Sequence, residues 1–153
     1  MTNLIIILIL FGLGYFVGSM AERMHFQSIE RREKRSVRLP VVTMDKSIRE
    51  GETVTSSRLV TGSAVISIDY FKRILAALRN IFGGEVAAYE SLLDRARREA
   101  LLRMKFQVPN AHAIVNVRIE TSTIGRSANK KNGLGSVEAL AYGTAVWFQE
   151  KRA

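Results

Sequence analysis

Residues 4–21 (LIIILILFGLGYFVGSMA) carry no charge, and apolar side chains fall on every side of a helix drawn through them. At about 1.5 Å per residue they span ~27 Å, close to the ~30 Å hydrocarbon core of a bilayer. A soluble helix needs only one apolar stripe. The pattern therefore predicts a membrane-spanning helix over 1–21. A cleaved leader fits less well. Met1-Thr2-Asn3 offers no basic segment, and Gly18-Ser19-Met20-Ala21 runs into Glu22-Arg23 without a small-residue cleavage pattern. Within the span Gly14 and Gly18, with Gly12 nearby, have the spacing that lets helix backbones approach closely in lipid.

The pattern then turns charged. Arg23, Arg31, Arg32, Lys34, Arg35 and Arg38, mixed with Glu22, Glu30 and Glu33, predict a basic, solvated helical stem over 22–39. Leu39-Pro40 ends it, because proline cannot continue the hydrogen-bond ladder. The basic flank places the N-terminus outside and the rest of the chain in the cytoplasm, as a single-pass protein of the inner, cytoplasmic membrane. Arg23, Arg31, Arg32, Lys34 and Arg35 are the expected contacts to lipid headgroups.

Residues 40–149 alternate between the two main periods. A short strand is expected over 41–44, a turn at Gly51, and an extended segment over 59–66. Asp69 is an expected N-cap, and Phe71, Ile74, Leu75 and Leu78 form a helical stripe stopped by Gly83-Gly84. Over 85–106 the apolar positions Val86, Tyr89, Leu93, Ala96, Ala100 and Met104 define a second helix. Arg95, Arg97, Arg98 and Arg103 with Glu90, Asp94 and Glu99 are read as its solvated, partly salt-bridged side. Two strands follow Pro109-Asn110. The first, 111–124, is expected to set Ala113, Val115, Val117 and Ile119 on one face. The second, 137–148, sets Ala139, Ala141, Gly143 and Ala145 opposite Leu140, Tyr142, Val146 and Phe148. The small face admits a helix close to the sheet. The large face needs other cover, so unless the N-terminal strands supply it a second subunit is expected there, with contacts on that face or at the sheet edge. Residues 125–135 read as a basic hairpin loop.

With 153 residues, 47 % of them hydrophobic, the chain accommodates one compact domain after the anchor and stem. It has no cysteine, which removes disulfides, thiolate metal sites and cysteine nucleophiles. The net charge of +9 fits anionic lipid, nucleic acid or a generically basic proteome.

The segments Val60-Thr61-Gly62-Ser63-Ala64-Val65, Phe82-Gly83-Gly84, Ala88-Tyr89-Glu90, Ala96-Arg97-Arg98-Glu99-Ala100, Ala113-Ile114-Val115-Asn116-Val117 and Gly143-Thr144-Ala145-Val146 occur in collinear order. Together they resemble the YbjQ-like family, whose members carry a heavy-metal-binding description. The resemblance implies a small two-layer α/β fold, dodecin-like, that assembles into rings, typically pentamers. It makes Gly62, Gly83, Gly84, Tyr89, Glu90 and Gly143 fold-defining. Asn110 and Asn116 stand where glycines are common in the family, His112 where asparagine is common, and many members lack the N-terminal anchor.

The residues themselves offer little chemistry. A soft-metal site wants several converging sulfur or imidazole ligands. The only histidines are His25 in the stem and His112 at a strand start, so His112 is the weak metal candidate. Met24, Met44 and Met104 read as stem, strand and core residues. Glu90 and Asp94 share a helix face, but arginines flank them. No phosphate-binding loop is present, since Gly83-Gly84 lacks the flanking glycine and lysine. The basic patch Arg126, Lys130, Lys131 lacks interleaved aromatics for base stacking. The expectation is an α+β, membrane-anchored homo-oligomer with a structural or ligand-binding role. It has no catalytic residues and no evident cofactor beyond the heavy metal that the resemblance implies. The alternatives are a metal or small-ligand sensor with sites at subunit junctions, and a basic membrane-proximal platform for nucleic acid or lipid.

Overall fold

A computed structural model describes residues 2–43, 53–67, 87–124 and 136–149. Among the described residues two helices and three strands follow in the order α1 (Thr2–Ser36), β1 (Val54–Ser67), α2 (Ala87–Phe106), β2 (Ala113–Ile124) and β3 (Ser136–Phe148). The architecture is α+β. The Gly51 turn, the helix expected after Asp69, the Gly83-Gly84 stop and the loop 125–135 lie outside the described residues.

α1 contains no proline and passes unbroken from the apolar segment into the stem. It ends at Ser36, just short of the expected Leu39-Pro40. There the Ser36 carbonyl accepts hydrogen bonds from Leu39 N (3.2 Å) and Lys105 Nζ (3.1 Å). Satisfying the terminal carbonyls locally is what permits the helix to stop.

The sheet is antiparallel throughout, in the order β1-β3-β2. β1 starts at Val54, earlier than the expected Leu59. The segment expected as a first strand contributes an isolated parallel bridge from Val41 to Ile114. Backbone bonds Val42 N to Ile114 O (3.0 Å) and Ile114 N to Pro40 O (3.0 Å) fasten it beside β2.

α2 covers one face of the sheet. Leu92, Ala96, Ala100 and Met104 pack with Val60 and Ala64 of β1 and Val137, Ala139, Ala141 and Ala145 of β3 in the main core. The approach is close enough to demand glycine at position 62. A Cβ there would overlap the Ala100 carbonyl oxygen and the Met104 amide nitrogen, both backbone atoms that no rotamer change can move.

Strand β2 departs from the expected pattern. Its register with β3 shifts between Val115 and Arg118, and Asn116 sits at φ 53°. An extra residue in a strand flips the alternation beyond it. Ala113 and Val115 therefore join Val146 and Phe148 in a second cluster, while Val117 packs in the main core with Ile119 against it. The expectation of one shared face for all four is corrected by this bulge. Gly143 accommodates it, since a Cβ at that position would lie 2.8 Å from Val117 Cγ2 and 3.0 Å from the Val115 carbonyl.

The face turned away from α2 carries Leu59, Val65 and Leu140, all exposed, and a half-buried Tyr142. The edge strand β1 is partly capped. Gln107 Nε2 donates to the Thr61 carbonyl (2.6 Å) and Arg103 to the Ser63 carbonyl (2.8 Å), two groups that a pairing strand would otherwise seek.

Candidate functional site

The most developed polar arrangement among the described residues is the seam between the stem and α2. On α1, Glu22, His25, Phe26, Ile29, Arg32, Glu33 and Ser36 recur at three- and four-residue steps, and these positions are buried or half-buried while their neighbours are exposed. On α2 the matching stripe is Ser91, Arg95, Arg98, Leu102 and Lys105, with Glu99 beside it.

The contacts advance in step along both helices. Ser91 Oγ donates to Glu22 Oε1 (3.2 Å), and Arg95 Nε donates to His25 Nδ1 (3.4 Å) while its guanidinium lies 5.5 Å from the Phe26 ring centroid. Further along, Arg32 donates two hydrogen bonds to Glu99, Arg98 donates two to Glu33 (2.8 and 2.6 Å), and Lys105 reaches Ser36. From Glu22–Ser91 to Ser36–Lys105 the sequence separation is the same, 69 residues. The stem and α2 thus run parallel, in register.

Glu99 and Ile29 are buried in this seam, and Leu102 on the same α2 stripe is also buried. The Arg32 guanidinium holds the Glu99 carboxyl below the usual carboxylate range, and Arg103 Nε (3.1 Å) adds to the effect. Arg98 does the same for Glu33, and Glu33 in turn raises Arg98. Burial, with Arg95 beside it, lowers the His25 imidazole, which suits its role as an acceptor. The expectation of a solvated, partly salt-bridged side of α2 holds for Glu90, Asp94, Arg97 and Arg103, which are exposed, and for the pairs Arg98–Asp94 and Arg103–Glu99 within the helix. It is corrected for the remaining three residues. Arg95, Arg98 and Glu99 are paired with the stem, because the signs of the two stripes are complementary. Arg32, one of the expected headgroup contacts, is placed against Glu99. The spacing of Glu22, Ile29, Arg32 and Glu33 was the available signal, hidden among neighbouring charges.

The other candidate residues are scattered. Arg23, Arg31, Lys34 and Arg35 lie exposed on the outer side of α1. Gly14 and Gly18 lie one turn apart in its apolar half. Tyr89 and Glu90 are in the first turn of α2, Glu90 exposed, and Asp94 pairs with Arg98 (3.4 Å). Gly83 and Gly84 lie outside the described residues.

His112 is a structural residue here. Its Nδ1 accepts from Phe148 N (3.2 Å), and its ring tilts 5.8 Å from the Phe148 ring. An imidazole that accepts at Nδ1 carries its neutral-form proton on Nε2, so neither nitrogen offers a free lone pair. His25 is likewise engaged at Nδ1. Among the described residues no three His, Cys, Asp or Glu side chains converge as metal ligands. The donor set of the described residues does not fit a heavy-metal centre within one chain.

Comparison with known proteins places residues 40–149 under the YbjQ family model, described as "Putative heavy-metal-binding". A UPF0145 protein of Hahella chejuensis is 41 % identical over 108 residues, which cover 69 % of this chain and 96 % of that relative. One of Acinetobacter baylyi is 43 % identical over 93 residues, covering 60 % of this chain and 79 % of the relative. A crystal structure of a DUF74-family protein of unknown function from Pediococcus pentosaceus superimposes with a TM-score of 0.42 at 15 % identity, over 72 % of this chain and 98 % of that one.

Proposed function

The chain belongs to the YbjQ (UPF0145) family, and we propose that it is a membrane-anchored, oligomeric member with a structural or ligand-binding task rather than a catalytic one. One observation carries the anchor. α1 is, among the described residues, the helix long and apolar enough to cross a bilayer, and none of its apolar window is buried against the domain. Leu4, Leu10, Phe16 and Val17 are each more than half exposed. Such a surface is stable in lipid and costly in water, where burying a single Leu or Phe side chain is worth about 1.5–3 kcal/mol. The basic stem then sets the orientation, with the N-terminus outside and the domain in the cytoplasm.

The second copy is supported by the sheet. α2 covers one face and leaves Leu59, Val65, Leu140 and Tyr142 on the other. Because Gln107 and Arg103 already occupy carbonyls of the edge strand, this face is the better subunit contact. Grouping several anchors in one bilayer makes attachment effectively permanent.

The test is flotation of the full-length chain with vesicles, followed by native mass spectrometry from detergent. Flotation through a carbonate wash and a ring-sized oligomer are expected. An aqueous product would sink the anchor, and a monomer would sink the assembly. A metal role is checked by elemental analysis of the purified oligomer beside His112→Ala. Stoichiometric metal lost on that substitution would overturn the structural reading of His112.

A further inference from the structure

We infer that the docked stem makes α1 a strut rather than a tether, and that it holds one particular end of the domain against the lipid surface. This rests on the membrane reading proposed above. The end in question comprises the first turn of α2 and the sheet margin formed by Ser67, Ser136 and Ile124.

The register of the seam carries the argument. Ser91 is level with Glu22, the first charged residue after the apolar segment. By the same 69-residue separation, Ala87 is level with Gly18, inside the last turn of that segment. The start of α2 is therefore at the depth where the apolar helix leaves the hydrocarbon. The sheet follows in the opposite sense. Arg58 reaches Gln107 at the C-terminal end of α2, and Gly62 meets Ala100 and Met104. β1 consequently climbs toward the start of α2, and its last residue Ser67 pairs with Ser136, itself paired with Ile124. That margin is hydroxyl-rich, with Ser67 Oγ 2.9 Å from Ser136 Oγ, and suits a headgroup layer that both donates and accepts. The opposite end, with Gln107, Asn110 and Gln149, points away.

A flexible tether would leave the domain free to tumble. Here Ile29 and Glu99 are buried in the seam, and two bidentate Arg–Glu pairs bind the helices along its length. On this geometry the stem's basic residues divide. Arg23 lies about 3 Å past Ala21 along the axis, within the headgroups, whereas Arg31 and Arg35 lie ~15 and ~21 Å past it, beyond the ~8–10 Å screening length.

The absence of cysteine makes the test direct. Full-length Glu90→Cys, Ser67→Cys, Asn110→Cys and Gln149→Cys variants, each carrying a donor dye, are reconstituted into phosphatidylcholine–phosphatidylserine vesicles with a headgroup-linked acceptor. Residues 90 and 106 of α2 differ by about 24 Å of helix rise, so transfer from positions 90 and 67 should exceed that from 110 and 149 at least about twofold. Adding Ile29→Asp, which undocks the stem, should erase the difference. Equal transfer from all four positions in chains that do float overturns the strut while leaving the anchor standing. Chains that do not float overturn both.

Discussion

The Arg32–Glu99 pair offers the sharpest measure of how firmly the stem is docked. Glu99 keeps only 7 % of its side chain exposed and accepts two bonds from Arg32 and one from Arg103; Arg32 keeps 26 % exposed and Arg103 56 %. Replacing Arg32 by Leu leaves a buried carboxylate with one partly solvated donor. Breaking a buried pair costs about 3–5 kcal/mol, and partial exposure with the surviving Arg103 bond reduces that to about 2 kcal/mol. Glu99→Leu strands a cation that can turn toward water, and about 1 kcal/mol is expected. The double variant removes both charges and should recover most of the loss, leaving a coupling of about 1–2 kcal/mol. Urea titration of the detergent-solubilised full chain reads this out through Trp147, the only tryptophan, which packs against the main core. A double variant whose loss equals the sum of the two singles would show that the residues do not interact, and the docked stem would lose its main support.

Four further outcomes follow from the same geometry. Glu99 and Glu33 have folded-state pKa values held below the usual 4.5, so their contribution is fully present above that value and fades as pH falls through the depressed folded values. Stem docking, followed by the urea midpoint, should be flat from neutrality to about pH 5 and weaken below about pH 4.5; a midpoint that rises on acidification would contradict it. Asn116 occupies the left-handed region, so Asn116→Gly should be tolerated and Asn116→Val should cost about 2 kcal/mol, measured in the same titration. Gly62→Ala must displace backbone of α2 and should destabilise by about 1–3 kcal/mol. Gly12→Ala, with nothing within 4 Å of the added carbon, should leave the urea midpoint unchanged.

Local signals announced the elements. The uncharged run before Glu22, the apolar stripe through Ala96, Ala100 and Met104, and the small-residue face of β3 appear respectively as an unbroken helix, a core helix and a close-packed face. Two features resisted the same reading because they depend on partners distant in sequence. Asn116 breaks the two-residue period of β2, yet nothing in Ala113-Ile114-Val115-Asn116-Val117 states which residue is surplus until β3 supplies the register. The charged side of α2 looked solvated because charge alone does not distinguish water from a complementary helix. Only the stem's own spacing, read against Arg95, Arg98 and Glu99, reveals the match.

That match joins an element outside the family unit to one inside it. The family model begins at residue 40, whereas Glu22, Arg32 and Glu33 precede it, and their partners Arg95, Arg98 and Glu99 lie within. A strut of this kind restricts the symmetry of the proposed assembly. If every copy presents the same end to one bilayer, all anchors must point the same way, which only a cyclic ring with its axis along the membrane normal allows. Dihedral arrangements would set half of the apolar helices in water. The subunit contact through Leu59, Val65, Leu140 and Tyr142 must then be heterologous, one surface meeting a different one, unless the assembly is a two-fold dimer. Crosslinking through Leu140→Cys distinguishes these. In a cyclic ring of more than two subunits, self-linked Leu140 pairs should be rare beside links from residue 140 to a second surface. Predominant Leu140–Leu140 links would instead require a face-to-face dimer and refute the ring.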